Sequence, residues 1–454
     1  MSTSHAKAAA QFLKNMERTS WHNQALWFVR QKRDLISKQL PEWEELRQLA
    51  HDIKRYNVTH LDTLLEQFEK KAQENGVIVH WAVDAEEHNQ IVYDLLSSHG
   101  VKTLVKSKSM LSEECELNPY LMSRGIDVVE SDLGERILQL MKKKPSHIVL
   151  PAIHIKREEV GELFEKEMGT EPGNSDPTYL THAARANLRH LFLDADAAMT
   201  GGNFAVAETG EVVVCTNEGN ADVGMSCQKL NICSFGIEKV IENLDQLAVF
   251  HRLLARSATG QPSTAFTSSF RKPQEGGELH FIIVDNGRSS IIANKEHEKI
   301  LNCIRCGACM NTCPVYRRSG GYSYSYFIPG PIGVNLGMVK NPKLYAGNVS
   351  ACTLCLSCSN VCPVKIDLGE QIYRWRQDLD KLGQANKEKK IMSLGMKFLM
   401  ERPRLFNTAL KFAPIANHMP RFMLYNSLNA WGKDRELPQF ASESFNDWWI
   451  KQMK

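Results

Sequence analysis

Two runs of four cysteines constrain this chain more than any other feature. The first is C-I-R-C-G-A-C-M-N-T-C-P, with Cys303, Cys306, Cys309 and Cys313. The second is C-T-L-C-L-S-C-S-N-V-C-P, with Cys352, Cys355, Cys358 and Cys362. Both keep the spacing C-x2-C-x2-C-x3-C-P, which holds [4Fe–4S] clusters in bacterial two-cluster electron carriers. Two-residue gaps let three thiolates on one tight loop reach three corners of a cubane. The proline turns the chain away, and its missing N–H leaves no donor unpaired. In this pattern the fourth cysteine serves the other cluster. The expected ligand sets are therefore Cys303, Cys306, Cys309 and Cys362 for one cluster, and Cys352, Cys355, Cys358 and Cys313 for the other. Zinc and disulfides fit worse. Structural zinc usually takes two separated C-x2-C pairs, which explains neither the third cysteine at the next step nor the repeated C-P.

The rest of the composition is that of an ordinary globular protein, with 24% charged and 43% hydrophobic residues in 454. A net charge of +3 is too small to recruit nucleic acid. The four cysteines outside the runs, Cys115, Cys215, Cys227 and Cys233, are expected to be buried as small apolar residues. The N-terminus lacks the apolar core of a signal peptide. No stretch approaches the ~18 apolar residues of a membrane span. A cytoplasmic protein is expected, in a reducing compartment that suits cluster assembly.

Four regions are expected. Residues 1–72 read as helical, with long charged faces turned to solvent. Residues 73–288 read as an α/β domain. GVIVHWAV, VKTLVK, IDVVESD, HIVLPAIH (147–154) and GELHFIIVDN (277–286) are strand-like, and helical stretches follow the first two. FAVAET-G-EVVVCT reads as a hairpin about Gly210, and the Ser/Thr/Gly/Pro-rich stretch 257–277 as a long loop. Residues 289–375 hold both cysteine runs. The 38 residues between the runs (314–351) and the helical flanks favour an all-α helical ferredoxin-type domain over a compact bacterial one. Residues 376–454 read as a helical tail. Between Lys387 and Glu436 it has ten Lys/Arg against four Asp/Glu, interleaved with Met, Phe and Leu. Docking to another subunit is the leading reading of this stretch. Packing onto the body and peripheral membrane contact are the alternatives. Trp448 and Trp449 are expected to anchor the tail.

A second candidate site lies in the α/β domain. Lys106, Ser107, Lys108 and Ser109 sit where a strand ends and a helix begins, which is where ligands bind in open α/β sheets. Two ammonium groups, two hydroxyls and free helix N–H groups there suit a carboxylate or phosphate. The plain alternative is a polar loop with a serine cap. Thr200, Gly201, Gly202 and Asn203 precede the hairpin, and Asn217-Glu218-Gly219-Asn220 follows it. Their glycines permit left-handed turns and close approach of a ligand. Glu208 and Glu218 are candidate acid/base groups, as is His154. Each also reads as an ordinary turn, solvated or structural residue. There is no dinucleotide or mononucleotide fingerprint, so no NAD or flavin motif is seen.

Several segments taken together resemble one family. They are KSKSM (106–110), TGGNFAVAETGEVVV (200–214), NEGN (217–220), VDNGRS (284–289), the two cysteine runs and ESFNDWW (443–449). The chain is similar along nearly its whole length to the lactate-utilisation iron–sulfur protein B family. That resemblance implies an α/β domain of the lactate-utilisation (LUD) type, related to the sugar-isomerase and CoA-transferase fold. It also implies a helical dicluster ferredoxin domain with two [4Fe–4S] clusters and a family-specific C-terminal region. It implies work alongside a cysteine-rich iron–sulfur protein and a smaller LUD-domain protein. The expected role is that of an electron-transfer subunit in oxidation of L-lactate to pyruvate, not a complete enzyme. Two alternatives stay open: a redox-switched transferase or organic-acid-binding protein using the α/β domain, and an electron carrier for another 2-hydroxy acid such as glycolate.

Overall fold

The computed structural model describes residues 4–383, 387–425 and 437–453. Four helices open the chain: α1 (His5–Leu13), α2 (Met16–Lys38), α3 (Trp43–Thr59) and α4 (Leu61–Glu74). Ten strands follow among the described residues: β1 (Ile78–Ala82), β2 (Thr103–Lys106), β3 (Asp127–Glu130), β4 (Ala197–Gly201), β5 (Phe204–Val206), β6 (Glu211–Thr216), β7 (Leu230–Gly236), β8 (Val240–Ile241), β9 (Phe266–Phe270) and β10 (Glu278–Val284).

Six of these strands form one sheet in the order β1-β10-β7-β4-β2-β3, parallel at every pairing. Helices cover both faces, which explains the near-continuous apolar run of β10. Phe281 and Ile283 enter one core with Phe68 and Phe235, while Ile282 and Val284 enter another with Leu96, Leu104 and Leu121. The chain runs outward from β2 to β3, then returns to place β4 on the other side of β2. A crevice opens at such a reversal, beyond the C-terminal ends of the strands.

A smaller sheet, β8-β5-β6-β9, sits at that end. Its centre is the antiparallel hairpin β5–β6 around Gly210. Strand β9 lies within the stretch expected to be loop. It pairs antiparallel with β6 as an edge strand, with Phe266, Thr267 and Ser269 exposed. An edge strand needs only one partner, so its Ser/Thr-rich sequence carries no apolar alternation.

HIVLPAIH forms turns, not a strand. His147 is the cause. Its Nδ1 accepts from the N–H groups of Val149 and Leu150, which curls the backbone into a loop. The charged faces of α2 and α3 also depart from expectation, because Arg33, Arg47 and Lys54 are buried. Arg33 donates to Val361 O at 3.1 Å, Arg47 to Cys362 O at 2.8 Å, and His51 Nδ1 to Val364 O at 3.0 Å. Of the four cysteines outside the runs, Cys115 and Cys233 are buried, Cys215 is partly exposed and Cys227 is exposed.

Beyond Arg288 the described elements are helices only. Two short ones, Ala308–Thr312 and Ser357–Val361, pack against one another, and each carries the third cysteine of its run. No helix among the described residues is long and apolar enough to cross a membrane.

Met1–Trp375 forms one compact unit and Arg376–Lys454 a second. Helices Pro403–Phe412 and Phe445–Gln452 of the second unit contain no buried residue. Trp448 and Trp449 pack beside Phe445 within their own helix and are 42% and 48% exposed. Residues 426–436 of the basic stretch lie outside the described residues.

Candidate functional site

The two cysteine runs adopt the same backbone. Arg305 and Leu354 occupy equivalent positions at φ 59° and 55°, and Gly307 and Leu356 at 75° and 60°. Left-handed residues in alternation tighten the loop and turn backbone N–H groups inward. Arg305 N donates to Cys303 Sγ at 3.4 Å, and Leu354 N to Cys352 Sγ at 3.3 Å. After the fourth cysteines, Tyr316 N and Ile366 N donate to Cys313 Sγ and Cys362 Sγ at 3.5 and 3.3 Å.

The thiols influence one another across the runs. Burial is the main effect raising Cys306, and the neighbouring thiols Cys362 and Cys303 add to it. Burial also raises Cys358, with Cys313, Cys352 and Cys355 next. Cys309 is raised by burial, then by Cys303 and Cys306, and then by Cys358. Buried thiols that resist ionisation together become ligands when metal replaces their protons. The surroundings fit a negatively charged sulfur-rich group. Arg305 Nη1, Asn302 Nδ2 and Arg33 Nε are buried donors with no hydrogen-bond partner among the described residues.

A cavity of about 530 Å³ lies beside the first run. Loops after β2, β4 and β7 line it, together with the NEGN turn, the 147–154 loop and Arg305. The two candidate sites of the sequence therefore share a wall.

The anion-suited loop divides on inspection. Ser107, Lys108 and Ser109 line the cavity, whereas Lys106 does not. Lys106 is fully buried and pairs with Glu130 at 2.8 Å. Burial opposes its charge, but Glu130, Glu135 and Glu113 outweigh that and hold the ammonium above its usual range. Lys108 donates to Asp132 Oδ2 at 2.9 Å. Ser107 exchanges a hydrogen bond of 2.7 Å with Thr200. Ser109 caps the following helix by accepting from Ser112 N.

Gly201, Gly202 and Asn203 line the cavity, although neither glycine is left-handed. The two lack a Cβ for packing reasons, since one would press on Ser109 at Gly201 and on Val212 at Gly202. Asn203 Oδ1 accepts from Cys215 N and so ties the hairpin to β4. Asn217 is held by Gln261 and Ala265. Glu218 lines the cavity and accepts from Leu133 N at 3.0 Å. Burial, then the Asp132 carboxylate, pushes it up to about 7. Glu208 is exposed at the hairpin turn, away from the cavity. His154 is buried between Ser146 and Tyr322 (2.9 Å) and does not line the cavity, so its ring is engaged structurally.

Sequence reading missed the residues joining cavity to cysteines. Glu238 and Lys239 follow β7, and both line the cavity with Arg288 and Arg305. Arg288 Nε donates to Glu238 Oε2 at 2.5 Å, and its Nη2 to Glu114 at 2.9 Å. A Cβ at Gly236 would collide with Glu238 Oε2 and Arg288 Nε, so glycine there lets the pair form. Burial alone would raise Glu238, but Arg288, Lys239, Arg305 and Lys54 together hold it at about 2. VDNGRS supplied Arg288, while nothing in the local pattern of G-I-E-K-V marks Glu238 or Lys239.

Residues 65–290 match the family described as the LUD domain, and residues 299–366 the 4Fe–4S dicluster domain. The chain is 38% identical over 433 residues to lactate utilization protein B of Geobacillus thermodenitrificans, covering 92% of this chain and 90% of that protein. It is 38% identical over 437 residues to lactate utilization protein B of Bacillus pumilus, covering 93% and 92%. It is 36% identical over 431 residues to the uncharacterized electron transport protein YkgF of Escherichia coli, covering 92% and 90%.

Proposed function

The chain belongs to the lactate utilization protein B family, and from that premise we propose that it is the iron–sulfur electron-transfer subunit of a system oxidising L-lactate to pyruvate. The observation carrying this reading is Arg305. It stands between two cysteines of the first run and also lines the α/β cavity. A substrate side and an electron path thus meet at one side chain.

In this reading Cys303, Cys306, Cys309 and Cys362 hold one [4Fe–4S] cluster, and Cys352, Cys355, Cys358 and Cys313 the other. The effect of Cys362 on Cys306 and of Cys303 on Cys362, and that of Cys313 on Cys358 and of Cys352 and Cys355 on Cys313, supports this division. Such a cluster, when bound, supplies one-electron transfer. Oxidation of a hydroxy acid releases two electrons and two protons. Residues on the cavity wall suit the protons: Glu218, raised toward neutrality beside Asp132, exchanges one near pH 7. The backbone N–H groups and the arginines near the thiols hold negative charge. Cys355 and Leu356 are exposed and form the exit side, toward a cysteine-rich iron–sulfur partner and a smaller LUD-domain partner.

The test is anaerobic co-purification with both partners, followed by spectroscopy during lactate addition. About eight iron and eight sulfide per chain are expected, with lactate-dependent bleaching of the clusters. Protein that retains only zinc after anaerobic reconstitution overturns the cluster assignment. Clusters that form but are never reduced by lactate overturn the substrate.

A further inference from the structure

The cavity wall carries four cations, Lys108, Lys239, Arg288 and Arg305, and four carboxylates, Glu114, Asp132, Glu218 and Glu238. Three of the cations are committed. Lys108 holds Asp132, Arg288 holds Glu114 and Glu238, and Arg305 Nη2 lies 3.7 Å from Glu238. Lys239 has no direct ion pair or hydrogen bond to its ammonium among the described residues; burial lowers it to about 8, and the Glu238 carboxylate, shared with Arg288 and Arg305, only partly offsets that. It is also placed where a ligand would be met, just beyond the C-terminal end of a central parallel strand. The carboxylates are not equivalent either. Burial, then the Asp132 carboxylate, raises Glu218 to about 7, so near that pH it takes up a proton. When Glu218 is protonated, the eight charged side chains of the lining hold one more cation than anion.

The rest of the lining mixes hydroxyl and amide side chains, among them Ser109, Asn203 and Gln261, with an apolar patch that includes Ile137, Ile148 and Leu254. A volume of about 530 Å³ lies within the usual range for drug-sized ligands and is far more than a three-carbon acid fills. One ammonium without a direct partner, beside an apolar patch in a roomy cavity, suits an acid group on a body with an apolar side.

We propose that this cavity binds a monocarboxylate whose apolar body is larger than the methyl group of lactate, and that Lys239 anchors its carboxylate. This rests on the reading of the chain as the electron-transfer part of a hydroxy-acid-oxidising system. It adds that the chain itself binds the acid, and that longer 2-hydroxy acids fit better than lactate. Each methylene entering an apolar wall tightens binding by about fourfold. Removing a charge-assisted hydrogen bond at a buried anchor weakens binding by roughly tenfold to a hundredfold.

The experiment is anaerobic calorimetry on the cluster-loaded full chain without partners, titrated with sodium L-lactate and with sodium 2-hydroxy-4-methylpentanoate. The longer acid is expected to bind at least about tenfold more tightly. Lys239→Met should weaken it at least about tenfold, while Lys239→Arg restores most of the loss. Iron content and unfolding midpoint, compared between Lys239→Met and the parent, show that the fold survived. Equal affinity in Lys239→Met and parent overturns the anchor. Tighter binding of lactate than of the longer acid overturns the ligand class. If neither acid binds, yet lactate reduces the clusters once partners are added, this inference fails while the electron-transfer role stands. Acid that binds through Lys239 in a chain whose clusters lactate never reduces supports the inference and removes that role.

Discussion

The two cysteine runs have one backbone and two environments. Around the first, Arg305 is drawn into a buried network with Glu238 and Arg288, and Gly307 packs under His147 and Val149. Around the second, the equivalent residues are Leu354 and Leu356, and both Leu356 and Cys355 are exposed. Identical spacing therefore fixes the shape of a loop but not its role. The first loop is fitted to a cavity, and the second is presented outward.

The most severe way to break this comparison is to cross the runs. Cys362→Ser should remove the cluster beside Arg305 and leave the outward one, with iron falling by about half. Electron paramagnetic resonance of the dithionite-reduced protein would show one signal in place of two. Loss of the signal belonging to Cys352, Cys355 and Cys358 would mean that each run serves its own cluster.

Next in size is the buried network that only the first run has. Glu238→Gln leaves Arg288 and Arg305 short of a buried negative partner. Removing one member of such a pair costs about 3–5 kcal/mol. Urea unfolding should show this loss, and a change under about 1 kcal/mol would show the network to be dispensable.

Acid should act on the first run's surroundings before the second's. His147 Nδ1 accepts two backbone N–H groups, so its proton sits on Nε2 and is donated to Asn311 at 3.0 Å. Burial lowers the imidazole to about 3. The folded state therefore takes up a proton less readily than the unfolded chain. The stability involved is fully present above about pH 6.5 and declines as pH falls through that value toward about 3. At pH 5 the loss is roughly 2 kcal/mol. His147→Gln should lack that part of the pH dependence, and an unchanged slope would clear His147 of the effect.

The smallest effects come from exchanging the paired loop positions. Gly307→Ala forces a side chain into φ 75° and against His147 and Val149, each 3.1 Å from the new Cβ. A cost of about 1–2 kcal/mol is expected. Leu356→Gly relieves the same left-handed strain but loses a half-exposed side chain, so its net effect should stay within about 1 kcal/mol. Thermal melts of the two variants side by side decide whether the environments differ as described.

What was legible in the sequence follows the range of the forces involved. The cysteine loops depend on spacing over a dozen residues, and the β5–β6 hairpin on neighbours across Gly210, so local reading reaches them. Strand β9 depends on a partner about fifty residues away and has no apolar pattern of its own. The 147–154 segment has strand-like composition, yet one imidazole accepting two backbone donors turns it into a loop. Lys106 and Lys108 look alike in KSKS. Strand β2 ends at Lys106, which stays in the strand among buried glutamates, while Lys108 lies in the loop beyond and reaches the cavity. Lys239 matters only because everything near it is already paired, which no spacing rule records.

The arginines of α2 and α3 carry a further consequence, one of timing. Arg33 reaches the carbonyl of Val361 across 328 residues of chain. At about 5–20 residues per second, a ribosome takes roughly 15–65 seconds to make that stretch. Through that interval Arg33 and Arg47 have only solvent and their helix neighbours Asp34 and Glu44 to bind. The first helices emerge early, and what they close on emerges late. Maturation of this protein thus has a built-in last step, in which its beginning locks onto its second cysteine loop.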